Sequence, residues 1–208
     1  MILAVDTTGE SGSIALVAAD GRVLEEVVLE SPDGFAHVLF VAIEQLLARH
    51  GIPLKDVAVF ASASGPGSFT GVRVGLTAVK GLAEATERKV IAVSNLQVLA
   101  AFGTRELRAA LVDARRGEIY GAVYNAALEL VCDEVVMKAD AWLASLPGGD
   151  LEIIAQGYPL NCEVTQAPRA LAGAVGRIAA LKPELAGDPA GIDANYVRRS
   201  DAELLWKD

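Results

Sequence analysis

The sequence predicts an α/β protein made of two lobes on one repeated pattern, and three observations carry that prediction. Each half of the chain opens on an apolar strand that ends in an aspartate, Ile2-Leu-Ala-Val-Asp6 and Ala109-Ala-Leu-Val-Asp113. Each of these is followed by two more strands with a hairpin signal between them. Helix-period segments then alternate with short apolar strands. With 208 residues, 52% of them hydrophobic and 22% charged, the chain can bury a sizeable core. The expected lobes are residues 1–104 and 105–208, the second of them reduced.

In the first lobe, Gly12–Ala19 and Arg22–Leu29 flank Asp20-Gly21. Asp-Gly between apolar runs signals a tight type I′ hairpin, whose two central residues both need positive φ. Residues 35–50 place Phe35, Leu39, Ala42, Ile43 and Leu46 on one side of a helix that turns by about 100° per residue. A buried strand is expected at 57–63, a helix at 70–87, a strand at 89–93 and a helix at 94–103. In the second lobe, strands are expected at 109–113, 118–124 and 128–135, with a hairpin around Asn125. A short helix near 139–146, a strand at 151–155 and a helix near 169–181 complete it. The unit is β-β-β-α-β-α, twice.

A duplicated unit of this kind resembles the layout of the actin, sugar-kinase and Hsp70 superfamily, two ribonuclease-H-like lobes with nucleotide held between them. The strand-end aspartates Asp6 and Asp113 are then the candidate carboxylates, and Thr7-Thr8 the turn whose N–H groups could meet phosphate.

Composition narrows the partners. Lys and Arg number 18 against 27 Asp and Glu, a net charge of −9. Such a chain is a poor sole carrier of phosphate contacts, which leaves only a local patch for RNA. Cys132 and Cys162 lie far apart without a C-x-x-C, so neither a disulfide scaffold nor a zinc cluster is expected, and both thiols are expected buried and reduced. The first residues read as a strand and not a signal peptide, and no apolar run is long enough for a membrane span, so a cytoplasmic protein is expected. His37 and His50 are the only histidines, and they are too far apart for the i, i+4 clamp of a helical metal site. No metal is expected.

The most distinctive segment is Ser62-Ala-Ser-Gly65-Pro-Gly67-Ser-Phe-Thr-Gly71-Val-Arg73-Val-Gly75. It joins a strand to a helix, and its candidate site residues are Gly65, Gly67, Ser68, Thr70 and Gly71. It lacks the Gly-Lys-Ser/Thr of a Walker loop and is not the dinucleotide fingerprint. Two readings stand: an anion site at a helix N-terminus, or a tight turn that lets helix and strand pack closely. The following helix, 70–86, confines its polar residues to one stripe, Arg73, Thr77, Lys80 and Glu84. So wide an apolar arc could be sandwiched within its own domain or could form a seam with a partner. The candidate seam residues are Phe40, Leu47, Gly75, Ala78, Val79 and Leu82.

As a whole, Gly65-Pro-Gly-Ser-Phe-Thr-Gly-Val-Arg-Val-Gly75 closely resembles the glycine motif of the bacterial TsaB (YeaZ) family. Ile2–Thr8, Val112-Asp-Ala-Arg-Arg-Gly-Glu-Ile-Tyr120 and Asn195-Tyr-Val-Arg-Arg199 extend the resemblance over nearly the full length. It implies a scaffold for the synthesis of threonylcarbamoyladenosine on tRNA, similar to the catalytic subunit TsaD but without its chemistry. It further implies pairing with a TsaD-like subunit, a TsaE-like ATPase in the assembly, a homodimer when alone, tRNA reached only through the complex, and no cofactor. Family members associate through their N-terminal helices, which favours the seam. His37 matches the histidine that opens the family's first helix, but Val38 replaces the polar residue that usually follows. The alternative is an ATP-binding or phosphotransfer enzyme of the same superfamily, with weak ATP binding and Mg²⁺ held through water by Asp6 and Asp113. Against it stand the single glycine of the Thr7-Thr8-Gly9 turn and the lack of a Gly-Gly segment before the last helix.

Overall fold

Strand β1 (Ile2–Asp6) and strand β2 (Gly12–Val17) are buried along their whole length, which is why both read as continuous apolar runs rather than alternating ones. The computed structural model describes residues 1–197, so Arg198 and Arg199 of the Asn195–Arg199 stretch lie outside the described residues. The described residues form two compact units, Met1–Val98 with Pro168–Ala194, and Leu99–Ala167 with residues 195–197. Each carries one five-stranded mixed sheet, and each is a ribonuclease-H-like lobe.

In the first unit the strands run β3-β2-β1-β4-β5, with β3 (Val23–Leu29), β4 (Val59–Ala63) and β5 (Lys89–Val93). β1, β2 and β3 are antiparallel neighbours, whereas β4 pairs parallel with β1 and β5 parallel with β4. Side chains alternate across a strand. Leu3, Val5, Ile14, Leu16 and Phe60 therefore share one face, where they form a core with Leu39, Ile43 and Leu46 of α1 (Leu39–Arg49) and with Ala78, Val79 and Ala83 of α2 (Phe69–Thr86). Each large side chain buried there contributes roughly 1.5–3 kcal/mol. Residues 35–37 form a separate short 3₁₀ turn rather than the start of α1, and α3 (Asn95–Ala100) follows β5.

The opposite face of this sheet is covered by α5 (Ala172–Leu181). The sequence places this helix in the second lobe, and the structure returns it to the first. Ala4 and Val17 point toward it, and Gly176 leaves no room for a Cβ between the helix and those two side chains. Its N-terminus is capped from far away in sequence. Ser13 Oγ accepts the Leu171 and Ala172 N–H groups at 3.0 and 2.9 Å, and a Glu26 carboxylate oxygen accepts the Gly173 N–H at 2.6 Å. These bonds satisfy donors that the first turn of a helix otherwise leaves without partners.

The second unit repeats the strand order as β8-β7-β6-β9-β10, with β6 (Leu107–Arg115), β7 (Glu118–Asn125), β8 (Leu130–Lys138), β9 (Leu151–Ala155) and the two-residue β10 (Thr165–Gln166). The same pairing senses recur, antiparallel for β6, β7 and β8 and parallel for β9 and β10. Here α4 (Ala139–Ser145) supplies Trp142 to a core of Ala109, Leu111, Ile119 and Val123. Gly121 is small because the Trp142 indole lies directly on it. No helix joins β9 to β10, so this lobe is the reduced one. Cys132 and Cys162 are both exposed, not buried: each sits outside the apolar cluster of this smaller lobe.

The hairpins correct one local expectation. Ala18 N–H bonds the Arg22 carbonyl at 2.9 Å and Gly21 N–H the Ala18 carbonyl at 3.0 Å, while Gly21 alone has positive φ. This is a three-residue loop, a type I turn closed by a left-handed residue, not a type I′ turn. The same loop recurs between β7 and β8, where Leu128 holds the left-handed position at φ 58°. Positive φ at two central residues is found instead at Arg116 and Gly117, between β6 and β7.

Candidate functional site

β1 and β4 are parallel neighbours, as are β4 and β5, so their carboxyl ends lie side by side, the usual place for sites on such sheets. There Asp6, Thr7 and Thr8 meet the glycine segment that leads into α2. All three are buried. One oxygen of Asp6, Oδ1, accepts both the Thr8 N–H at 2.9 Å and the Thr8 hydroxyl at 2.6 Å. Burial pushes the Asp6 carboxyl above the usual carboxylate range, although the two Thr8 bonds pull it down; the negative charge of Glu26 adds to the rise. The Thr8 hydroxyl in turn accepts from Asn95 Nδ2. Asn95 Oδ1 accepts the Gly65 N–H at 3.1 Å, and the Asn95 N–H returns a 2.9 Å bond to the Gly65 carbonyl. Asn95 thus ties the aspartate turn to the glycine loop. Sequence reasoning missed it, although a polar residue at the strand-to-helix junction beside the loop was a readable signal.

The glycine loop closes onto the same turn. Ser68 N–H donates to the Thr8 carbonyl at 2.8 Å, and the Thr7 hydroxyl donates to the Gly71 carbonyl at 2.6 Å. Ser68 Oγ caps α2 by accepting the Gly71 N–H at 3.3 Å. A Cβ on Gly67 would lie 2.7 Å from the Thr8 carbonyl oxygen, and one on Gly71 would overlap the Thr7 carbonyl outright. Gly65 has φ 98° and precedes a cis peptide to Pro66. The polar groups of turn and loop are therefore directed at each other. Thr70 stands apart from this network, exposed at the start of α2.

Asp113 lies in the other unit, at the end of β6. Its Oδ1 accepts the Arg115 N–H at 2.8 Å, and its Oδ2 is 3.5 Å from the Arg115 guanidinium. His37 is exposed in the short turn before α1. His50 Nε2 is 2.8 Å from Glu25, whose carboxyl is held below its ordinary value first by its bonds to Arg49 and then by His50. Among the described residues no three His, Cys, Asp or Glu side chains are grouped to hold a metal ion.

The outer side of α1 and α2 is a second candidate surface. Phe40 and Phe69 are 54% and 53% exposed, large values for side chains of that size. The Arg73 guanidinium stacks 3.7 Å from the Phe69 ring centre. Two shallow grooves flank Phe40. One, of about 330 Å³, is lined by Ile43, Leu47, Ile52, Leu54 and Leu82, and the other, of about 400 Å³, by Phe69, Arg73, Val74 and Ala78. Of the candidate seam residues, Phe40 projects into solvent, Leu82 is half-buried, and Leu47 and Ala78 form groove floors. Gly75 and Val79 do not face outward. Val79 is fully buried, and Gly75 backs onto the Thr7 and Ser62 hydroxyls. Phe69 was missed because the helix was expected to begin one residue later.

Comparison with known proteins was informative at full length. The family model described as TsaD, tRNA N6-adenosine threonylcarbamoyltransferase, matches residues 30–180. A Bacillus subtilis protein named tRNA threonylcarbamoyladenosine biosynthesis protein TsaB is 33% identical over 99% of this chain and 97% of its own length. The Escherichia coli protein of the same name is 39% identical over 60% of this chain and 54% of its own length. The solved structure of YeaZ from Pseudomonas aeruginosa superposes with a TM-score of 0.78 at 27% identity, covering 94% of this chain and 98% of that one. The chain therefore belongs to the TsaB (YeaZ) family, within the wider family that the TsaD model describes.

Proposed function

We propose that this chain is a non-catalytic scaffold subunit in threonylcarbamoyladenosine biosynthesis on tRNA, and that it pairs with a TsaD-like catalytic subunit. The name of its full-length relative supports the pathway. The observation that carries the non-catalytic role is the filled turn: Thr8 N–H is turned back onto Asp6, and Ser68 N–H onto Thr8. N–H groups engaged in this way are not offered to phosphate. The exposed aromatic and aliphatic surface of α1 and α2 supports a partner-binding role, since Phe40 and Phe69 are large apolar side chains left in water around one shared groove, and such a patch marks an interaction surface. In the same reading the free chain forms a homodimer through that surface, a TsaE-like ATPase joins the assembly, tRNA is reached through the complex, no cofactor is needed and the location is cytoplasmic. No helix among the described residues is long and apolar enough to cross a membrane.

The competing enzyme reading, ATP binding or phosphotransfer in the manner of a sugar kinase, is separated by titration calorimetry of the isolated chain with Mg·ATP. The scaffold reading expects no heat of binding, and modification of a tRNA transcript only when the TsaD-like subunit is added. Sub-millimolar binding with phosphate release by the chain alone would replace it with the enzyme reading.

A further inference from the structure

The two aspartate-ended strands run into turns of opposite character. After Asp6 come Thr7 and Thr8, buried and bonded inward. After Asp113 come Ala114-Arg115-Arg116-Gly117, whose two arginines are exposed and stand at φ 65° and 57°. Side chains other than Gly, Asn and Asp rarely take that left-handed backbone, because Cβ crowds the carbonyl that follows. Glycine in either place would form the same turn with less strain. Such strain is characteristically kept where side-chain chemistry is used.

A third cation joins them. Lys138, at the end of β8, faces Glu118 across the ladder, and its ammonium donates to the Arg116 carbonyl at 2.8 Å. Three positive side chains thus crown the tip of the β6–β7 hairpin, with Asp113 and Glu118 as the nearby acids. The Asp113 contact to Arg115, 3.5 Å long with the arginine side chain 76% exposed, holds little energy. The other cations of the described second unit, Arg105 and Arg108, sit at the opposite end of β6. There Arg105 pairs with Asp150 at 3.4 Å, and Arg108 bonds the Arg105 carbonyl at 3.0 Å.

We propose that Arg115, Arg116 and Lys138 form a contact for the phosphate backbone of the RNA that the complex modifies. The proposal rests on the reading of this chain as a subunit in tRNA modification. Guanidinium groups match phosphate oxygens in a bidentate fork, and the lysine adds a point charge beside them. A net charge of −9 makes the chain a poor sole carrier of RNA, so the tip acts as one patch among those of the assembled complex.

The test is binding of a tRNA transcript by the complex with the TsaD-like subunit, over a range of salt concentrations. The double substitution Arg115→Gly, Arg116→Gly is expected to melt at the same or a higher temperature and to assemble normally. Its tRNA affinity is expected to fall about tenfold, and the slope of log affinity against log salt to become shallower by about 1.5, as two lost phosphate contacts require. Lys138→Gln, which keeps a donor for the Arg116 carbonyl, is expected to show about half that slope change. Unchanged affinity and slope in either folded variant would overturn the proposal and leave the scaffold reading standing. Displacement of the transcript by millimolar tripolyphosphate, with full loss in the double variant, would overturn it in favour of a small polyphosphate site. A wild-type complex that forms but neither binds nor modifies tRNA would overturn both.

Discussion

At Asp6 two physical effects oppose each other, and burial wins over hydrogen bonding. A carboxyl whose folded pKa lies above its unfolded value binds more protons in the folded state, so stability is lost as pH rises from the unfolded value through the folded one. Asp6→Asn keeps an oxygen to accept both Thr8 bonds and removes the buried charge. It is therefore expected to raise the melting temperature at neutral pH, with the difference vanishing below about pH 3, where the wild-type carboxyl is neutral in both states. Thermal melts across that range check the sign, and under the scaffold reading tRNA modification by the complex stays near wild type. Gly67→Val brings a Cβ to within 2.7 Å of the Thr8 carbonyl oxygen and is expected to cost about 1–3 kcal/mol. Chemical denaturation should report that loss, along with weakened modification only in proportion to unfolding. The residue types of this site were legible in the sequence, since an aspartate at a strand end and a run of glycines both stand out. Their partners were not: the Thr8 hydroxyl bridges Asp6 and Asn95, a separation that spacing along the chain cannot reveal.

For α2, the breadth of the apolar arc was legible, but its orientation was not. An arc that wide carries too few polar marks to fix which side meets the sheet. Gly75 and Val79 consequently looked like seam residues, yet they point into the core. Phe40 is the better probe of the surface, because it is exposed and its replacement leaves the core intact. Phe40→Glu is expected to melt within a few degrees of wild type and to weaken both self-association and pairing with the TsaD-like subunit by about 100-fold. That factor corresponds to the roughly 3 kcal/mol of a large side chain lost from an interface. Light scattering and pull-down with the partner give the two readouts; full association by the variant would place the interface on another surface. The hairpins show a related limit. Asp20-Gly21 predicted a turn in the right place, but loop length is set by the register of β2 against β3, which shifts near Val17.

Across the whole molecule, the duplication was legible because each copy repeats the same order of strand signals, and the two sheets indeed share one strand order. The discontinuity of the first unit was not. Nothing in Ala172–Leu181 names the sheet it covers; the small residues Gly173 and Gly176 and the distant caps Ser13 and Glu26 decide it. A chain ending at Ala167 is expected to expose the Ala4 and Val17 face, to bind a hydrophobic dye and to lose its sharp melt. A truncated protein with wild-type cooperativity would show that α5 is dispensable. The long excursion between Val98 and Pro168 also has a consequence in time. At a synthesis rate of about 5–20 residues per second, the ribosome needs about 4–18 seconds to deliver α5 after the last strand of the first sheet has been made. For those seconds the nascent chain carries an uncovered apolar sheet face, so demand for chaperones is expected during translation itself, before the finished fold can protect that face.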